Sequence, residues 1–280
     1  GTGSDDTSAN AGAAYIFTRS SSVWQQTQYI KADNTGAGDN FGTLSLSGDG
    51  TTLVVGAPLE DGTASNAGAV YVFVYNGTSW SQEAYLKTSN AEADDELTGS
   101  VTDGDESLVI SKDGLTIAVA AGGEDSNALG LSDVSTEGAD NSSPDSSAVY
   151  VFRKESGSWG QEAYIKSDHS NHHFFGGKRG LALNKTGTSL AIGTIWDSSS
   201  NLGVSSDSNN SGSSTQAGAV YFYTKSVSAW TKTSFLKAPN TDTSDKFGVS
   251  VAMDETGATM VVGAPLEDGT ASNAGAVYVY

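Results

Sequence analysis

One string recurs along the chain and sets the scale of anything it can fold into: Ala-Gly-Ala-x-Tyr-x-Phe/Tyr, with its tyrosine at Tyr15, Tyr71, Tyr221 and Tyr278. A variant, Ser-Ser-Ala-Val-Tyr-Val-Phe, puts Tyr150 in the same role. Seven residues after the last aromatic of the first four copies in chain order stands a tryptophan: Trp24, Trp80, Trp159 and Trp230. Five residues after each tryptophan comes an aromatic, followed by an aliphatic and a lysine: Tyr29 to Lys31, Tyr85 to Lys87, Tyr164 to Lys166, Phe235 to Lys237. Landmarks in fixed order at fixed spacing are the signature of a repeat architecture, in which no unit buries its apolar surface alone.

Between these landmarks lie Phe41-Gly42, Leu97-Thr98, Phe175-Gly176 and Phe247-Gly248. Each is followed by an apolar run, a tight polar turn and a second apolar run, such as Leu53 to Pro58 and Met260 to Pro265. The turns carry Asp49-Gly50, Asp113-Gly114, Thr186-Gly187 and Thr256-Gly257. Asp-Gly between apolar runs signals a hairpin, because glycine accepts the positive φ a tight turn needs. The unit therefore reads as four short strands. In Ala69 to Phe73 both alternating sets of side chains are apolar, so both faces of that strand must be covered. No segment has the 3.6-residue period of an amphipathic helix, which leaves sheet packed on sheet. Short four-stranded antiparallel sheets covered on both sides describe an all-β propeller. A parallel β-helix is excluded because its coils are much shorter than the 56 to 79 residues separating successive tyrosines.

Phe-Gly, a turn, Leu-Val-Val-Gly-Ala-Pro and then Gly-Ala-Val-Tyr-Val-Phe resembles the FG-GAP repeat of the integrin α-subunit propeller and its bacterial relatives. The resemblance is sharpest at 41–73 and 247–280 and weaker between them, where Leu97-Thr98 replaces Phe-Gly and Thr194-Ile195 replaces Ala-Pro. It implies strand A from Phe-Gly, B ending at Gly-Ala-Pro, C at Ala-Val-Tyr-Val-Phe and D from tryptophan to lysine. The whole chain, 1–280, then reads as a single propeller region. Strands C and D of a first blade fall at 11–32, further blades at about 41–88, 97–166 and 175–237, and a partial last blade at 247–280. That division gives seventeen strands. It also gives the expectation of a window from a longer repeat array, with a small ring closed by pairing its terminal strands as the alternative.

In integrins the turn between strands A and B often holds calcium. Here the first three of those turns carry one carboxylate or none and the last, with Asp254 and Glu255, is the least poor, whereas calcium takes six to eight oxygens. That site is not expected. Glu60-Asp61, Glu124-Asp125 and Glu267-Asp268 open three of the connections between strands B and C. They are read either as rim-solvating acids or, at Asp39, Glu60 and Asp61, as a possible calcium site. The three histidines, His169, His172 and His173, are a candidate zinc cluster, although zinc needs three or four protein ligands. Trp196 breaks the repeat and is read as a loop cover or a stacking platform for sugar.

The chain has 14 Lys+Arg against 33 Asp+Glu, a net charge of −19, which argues against nucleic acid and anionic lipid as partners. It has no cysteine, so thiolate catalysis and disulfides are excluded, and no apolar stretch approaches the roughly 20 residues of a membrane-spanning helix. No Gly-x-Ser-x-Gly or phosphate loop occurs, and the acids lie on polar turns where desolvation is weak, so no enzymatic role is expected. The leading expectation is a non-catalytic extracellular repeat module of a large surface protein. It would act in adhesion or as a structural segment of a surface appendage, with a protein or glycan partner at a cell surface or with itself, as a homo-oligomer or filament. The alternative is a lectin-like, carbohydrate-binding propeller.

Overall fold

A computed structural model describes residues 8–99, 107–132, 140–169, 175–177, 179–206, 214–227, 229–269 and 271–280. Every regular element among them is a strand. The first sheet holds β1 (Ala14–Ser20) and β2 (Val23–Ile30). The second holds β3 (Thr43–Leu46), β4 (Thr52–Ala57), β5 (Ala69–Tyr75) and β6 (Trp80–Leu86), paired in that order. In the third, β7 (Leu108–Ile110), β8 (Thr116–Ala121), β10 (Ala148–Glu155) and β11 (Ser158–Ile165) repeat the pattern, and β9 (Leu131–Ser132) adds to the edge of β11. The fourth sheet does the same with β12 (Leu181–Leu183), β13 (Ser189–Thr194), β15 (Ala219–Lys225) and β16 (Trp230–Leu236), edged by β14 (Val204–Ser205). The fifth has β17 (Ser250–Met253), β18 (Met260–Ala264) and β19 (Ala276–Val279). All strand pairings within these sheets are antiparallel. These are the blades of a β-propeller, three complete sheets between two partial ones.

The seventeen expected strands are all present, and two more appear. Both additions, β9 and β14, lie in the long connections after β8 and β13. An outer strand leaves a row of backbone donors and acceptors unpaired, and only these two connections are long enough to fold back and use them. Two blades therefore have five strands rather than four.

The core is divided among the junctions between sheets. Val54, Val70 and Val72 of one blade meet Leu108, Ile110, Ile117 and Val119 of the next. Ala118, Ala120, Val149 and Val151 from the other face of that blade meet Phe175, Leu181, Leu190 and Ile192. Each central strand thus faces two cores. This is why Ala69 to Val72 are all fully buried although their side chains alternate direction.

The recurrent Ala-Gly-Ala and Phe-Gly strings meet each other across junctions. Gly12 bridges Phe41, Gly68 bridges Leu97 and Gly218 bridges Phe247, each as an isolated parallel β-bridge. Phe41 N–H donates to Ala11 O at 3.1 Å, and Phe247 N–H to Ala217 O at 2.9 Å. A Cβ on Gly218 would stand 2.0 Å from Phe247 O, and its φ is +80°. At the remaining junction Ser147 holds the glycine position at φ +59° and donates its hydroxyl to Gly122 O.

Gly77 also has positive φ, but a Cβ there meets nothing within 4 Å. Gly77→Ala should therefore cost only the conformational strain, about 1 kcal/mol. Gly218→Ala adds a backbone collision and should cost about 3 kcal/mol or more. Thermal or urea unfolding of the two variants checks the ordering.

Candidate functional site

Among the described residues the buried charged groups gather where the connection after each strand B meets the connection that enters the same blade. At the second blade Glu60, 4% exposed, takes three side-chain donors. Lys87 Nζ and Tyr85 Oη reach Oε2, each at 2.8 Å, and Asn34 Nδ2 reaches Oε1 at 3.0 Å. Asn34 comes from the connection out of the first blade, and its Oδ1 accepts Tyr71 Oη at 2.9 Å. Gly62 leaves room for this: a Cβ there would lie 2.2 Å from Tyr85 Oη. Burial raises the Glu60 pKa, but hydrogen bonds from Lys87, Gly62 and Tyr85 outweigh it and leave the carboxyl below its usual range.

The third blade repeats the arrangement. Glu124 accepts Lys166 Nζ at Oε2; at Oε1 it accepts Tyr164 Oη at 2.6 Å and Asn90 Nδ2 at 3.5 Å. Asn90 Oδ1 accepts Tyr150 Oη at 2.9 Å, and Lys166 also reaches Ser146 Oγ at 2.7 Å. The fourth blade keeps only the charges. Asp197 and Lys237 pair at 2.9 Å with neither side chain exposed, Phe235 stands for the outer tyrosine, and Tyr221 Oη meets Ser167 Oγ at 3.3 Å. In the fifth, Asn240 Nδ2 donates to Glu267 at 2.5 Å and Tyr278 Oη to Asn240 Oδ1 at 2.7 Å. In the first, Lys31 Nζ caps Gly12 O at 2.5 Å. Burial lowers the pKa of both Lys166 and Lys237, against the pull of Glu124 and Asp197 respectively.

A second set of contacts ties the outer strands together. Glu83 on β6 accepts Lys154 Nζ at 2.5 Å and Trp159 Nε1 at 3.0 Å from the next blade. Glu162 on β11 receives Lys225 and Trp230 in the same way. Trp159 and Trp230 thus use their indole N–H to join blades.

The sequence-predicted residues fall as follows. Glu60 is engaged by a lysine ammonium. Asp39 Oδ2 accepts Gly36 N–H at 2.7 Å, and Asp61 Oδ1 accepts Asn66 N–H at 2.8 Å. The three carboxylates are close enough for Glu60 and Asp61 to raise the Asp39 pKa, behind its own burial, yet each has its own protein partner. Among the described residues no group of three or more His, Cys, Asp or Glu is arranged to hold a metal ion. His169 lies beside Ser167, whose Oγ accepts its N–H at 3.3 Å, while His172 and His173 lie outside the described residues. Trp196 follows β13 and is 36% exposed. In the turns between strands A and B the acids act as caps. Asp49 accepts Ser47 Oγ and Thr51 N–H, and Asp254, brought down to about 2 by hydrogen bonds from Thr256 and Thr259, leaves Glu255 to pair with Lys112 and Lys185.

Two stretches, residues 24–73 and 230–280, match the FG-GAP repeat model. With the propeller blades described above, the chain is a β-propeller that carries FG-GAP repeats in these two stretches. No curated protein matches it. Among solved structures it is similar to the β-propeller domain of Cps50 (Swd1) from Myceliophteria thermophila, at 10% identity and TM-score 0.48, covering 90% of this chain and 59% of that one. It is also similar to a putative 6-phosphogluconolactonase from Bacteroides uniformis, at 13% identity and TM-score 0.44, covering 81% and 50%. A third similar structure is TolB from Acinetobacter baumannii, at 11% and 0.39, covering 91% and 47%. The chain thus spans about half to three-fifths of the length of these proteins.

Two outcomes are expected. Removing one member of a fully buried pair strands the other charge, so Lys237→Met should cost about 3–5 kcal/mol. Lys237→Met with Asp197→Asn should recover part of it, read by a double-mutant cycle in urea. Asp95 is pushed up to about 7 by burial, with Glu124, Glu92 and Asp125 adding to it. Its native pKa lies above the unfolded value, so the native state binds the proton more tightly and stability rises as pH falls from 8 to 5.5. Asp95→Asn should raise the melting temperature at pH 8 by a few degrees and flatten that dependence.

Proposed function

We propose that this chain is a structural repeat segment that works by blade-on-blade stacking, at a cell surface in adhesion or in building an appendage. A non-enzymatic repeat module is what the FG-GAP propeller fold supports in general. One observation carries the finer reading. Val261, Val277 and Val279 on the open face of the fifth sheet are 36%, 67% and 69% exposed, whereas their repeat equivalents Val54, Val70 and Val72 are fully buried against the next blade. At the opposite end Tyr15, Phe17, Leu44 and Leu46 are 51–55% exposed. Their equivalents Tyr71, Phe73, Leu108 and Ile110 are all buried.

The two open ends therefore carry the two halves of a contact that the molecule already makes internally. Apolar patches of this kind mark interaction surfaces, and a contact between unlike faces propagates into rings or filaments. A second copy of the chain presents the matching face. The charge of −19 works against the encounter and keeps association weak at low ionic strength.

Sedimentation velocity at about 100 µM in 0.5 M salt should show head-to-tail dimers and longer species that shrink on dilution. Val277→Glu with Val279→Glu should leave a folded monomer. A wild-type chain that stays monomeric across the range would remove this reading, as would a double variant that associates as strongly as the wild type.

A further inference from the structure

At two junctions a lysine, a buried carboxylate and an asparagine side chain meet at the rim of the blades, and a tyrosine holds the asparagine oxygen. We propose that these groups react with one another, so that the folded chain forms two internal isopeptide bonds, Asn34 to Lys87 and Asn90 to Lys166, each with loss of ammonia. Glu60 holds the amine of Lys87 on one oxygen, at 2.8 Å, and the amide nitrogen of Asn34 on the other, at 3.0 Å. Nucleophile and leaving group are thus bound to a single carboxylate. Tyr71 Oη, 2.9 Å from Asn34 Oδ1, donates to the atom on which negative charge develops. Glu124, Lys166, Asn90 and Tyr150 stand in the same four roles.

In the step, the Lys87 ammonium gives a proton to Glu60, and the freed amine attacks Asn34 Cγ. The tetrahedral oxyanion is held by Tyr71. Glu60 relays a proton from the attacking nitrogen to Nδ2, the Cγ–Nδ2 bond breaks, and an amide bond joins Lys87 Nζ to Asn34 Cγ. Ammonia leaves as ammonium, taking with it the proton first given to Glu60, which returns to its carboxylate form. No oxidant or other reactant is required. At the second of these junctions burial also lowers the Lys166 pKa toward the reactive neutral amine. The groups are held together by the fold, which supplies the proximity an unassisted amide exchange lacks.

The other junctions are built-in controls. In the fourth blade Lys237 and Asp197 are buried, but His169 stands three residues after Lys166, where Asn34 and Asn90 stand after Lys31 and Lys87. In the fifth, Glu267, Asn240 and Tyr278 are assembled, but Asn240 and Glu267 have no lysine bonded to them among the described contacts.

Mass spectrometry of the intact, denatured 280-residue chain tests the proposal. The mass should fall below the sequence value by about 34 Da, two ammonia molecules. Tryptic digestion should give two branched peptides, joining Asn34 to Lys87 and Asn90 to Lys166, with no cleavage after either lysine and ordinary cleavage after Lys237. Glu60→Gln should abolish the first bond and keep the second, which shows that the variant has folded. Lys166→Arg should do the reverse. The full sequence mass in wild-type protein that melts cooperatively overturns the proposal. So does a mass deficit that maps to the Asn76-Gly77 peptide instead of to the branched pairs.

Discussion

A central strand here has no solvent side. Val70 and Val72 point into one junction, Tyr71 and Phe73 into another, and all four are buried. A single sheet of this sequence would expose one apolar face or the other, so it gains stability only by having neighbours on both sides. The structure follows from that requirement. The aromatic-to-aliphatic alternation, the glycines that let one blade's backbone bridge the next, and the polar clamps at the rim all lie on surfaces shared between blades. The same requirement explains the exposed valines of the fifth sheet, which carry the sequence of an internal face without its cover.

The clamps occupy the places where this packing cannot stay dry and apolar. The connections after strand B run back across a blade edge and bury backbone and side-chain polar atoms, which must find partners. Glu60 and Glu124 each gather donors from their own outer strand and from the preceding blade, so a polar necessity becomes a link between blades. Where the asparagine is missing, as at Asp197, the acid is one carbon shorter and is held by lysine and Ser199. A paired buried charge adds little stability by itself, but it penalises any register that leaves it unpaired.

Much of the fold was legible in the sequence because its signals are local and repeated. Asp-Gly turns, the double-apolar strand C and the Trp-to-Lys spacing each report a strand or hairpin without tertiary information. The clamp was legible only in halves. Lys87 and Lys166 recur at fixed spacing, and so do Glu60 and Glu124, but the pairing joins the end of strand D to the start of a different connection, which no single period reveals. The acids therefore read as solvated or as cation ligands, when the cation at Glu60 is the chain's own lysine. The extra strands β9 and β14 escaped notice because Leu131-Ser132 and Val204-Ser205 are too short to alternate visibly; an unpaired neighbouring edge creates them.

The claim on which this account rests is that stability resides in the junctions between blades, so a strand is protected according to how many neighbours cover its sheet. Native-state hydrogen exchange measures this directly. The slowest amides should lie in β4, β5, β8, β10, β13 and β15, with β1, β2 and β17 to β19 exchanging several orders of magnitude faster although their ladders are equally regular. Uniform protection across all five sheets, or protection in β18 and β19 equal to that in β4 and β5, would contradict it.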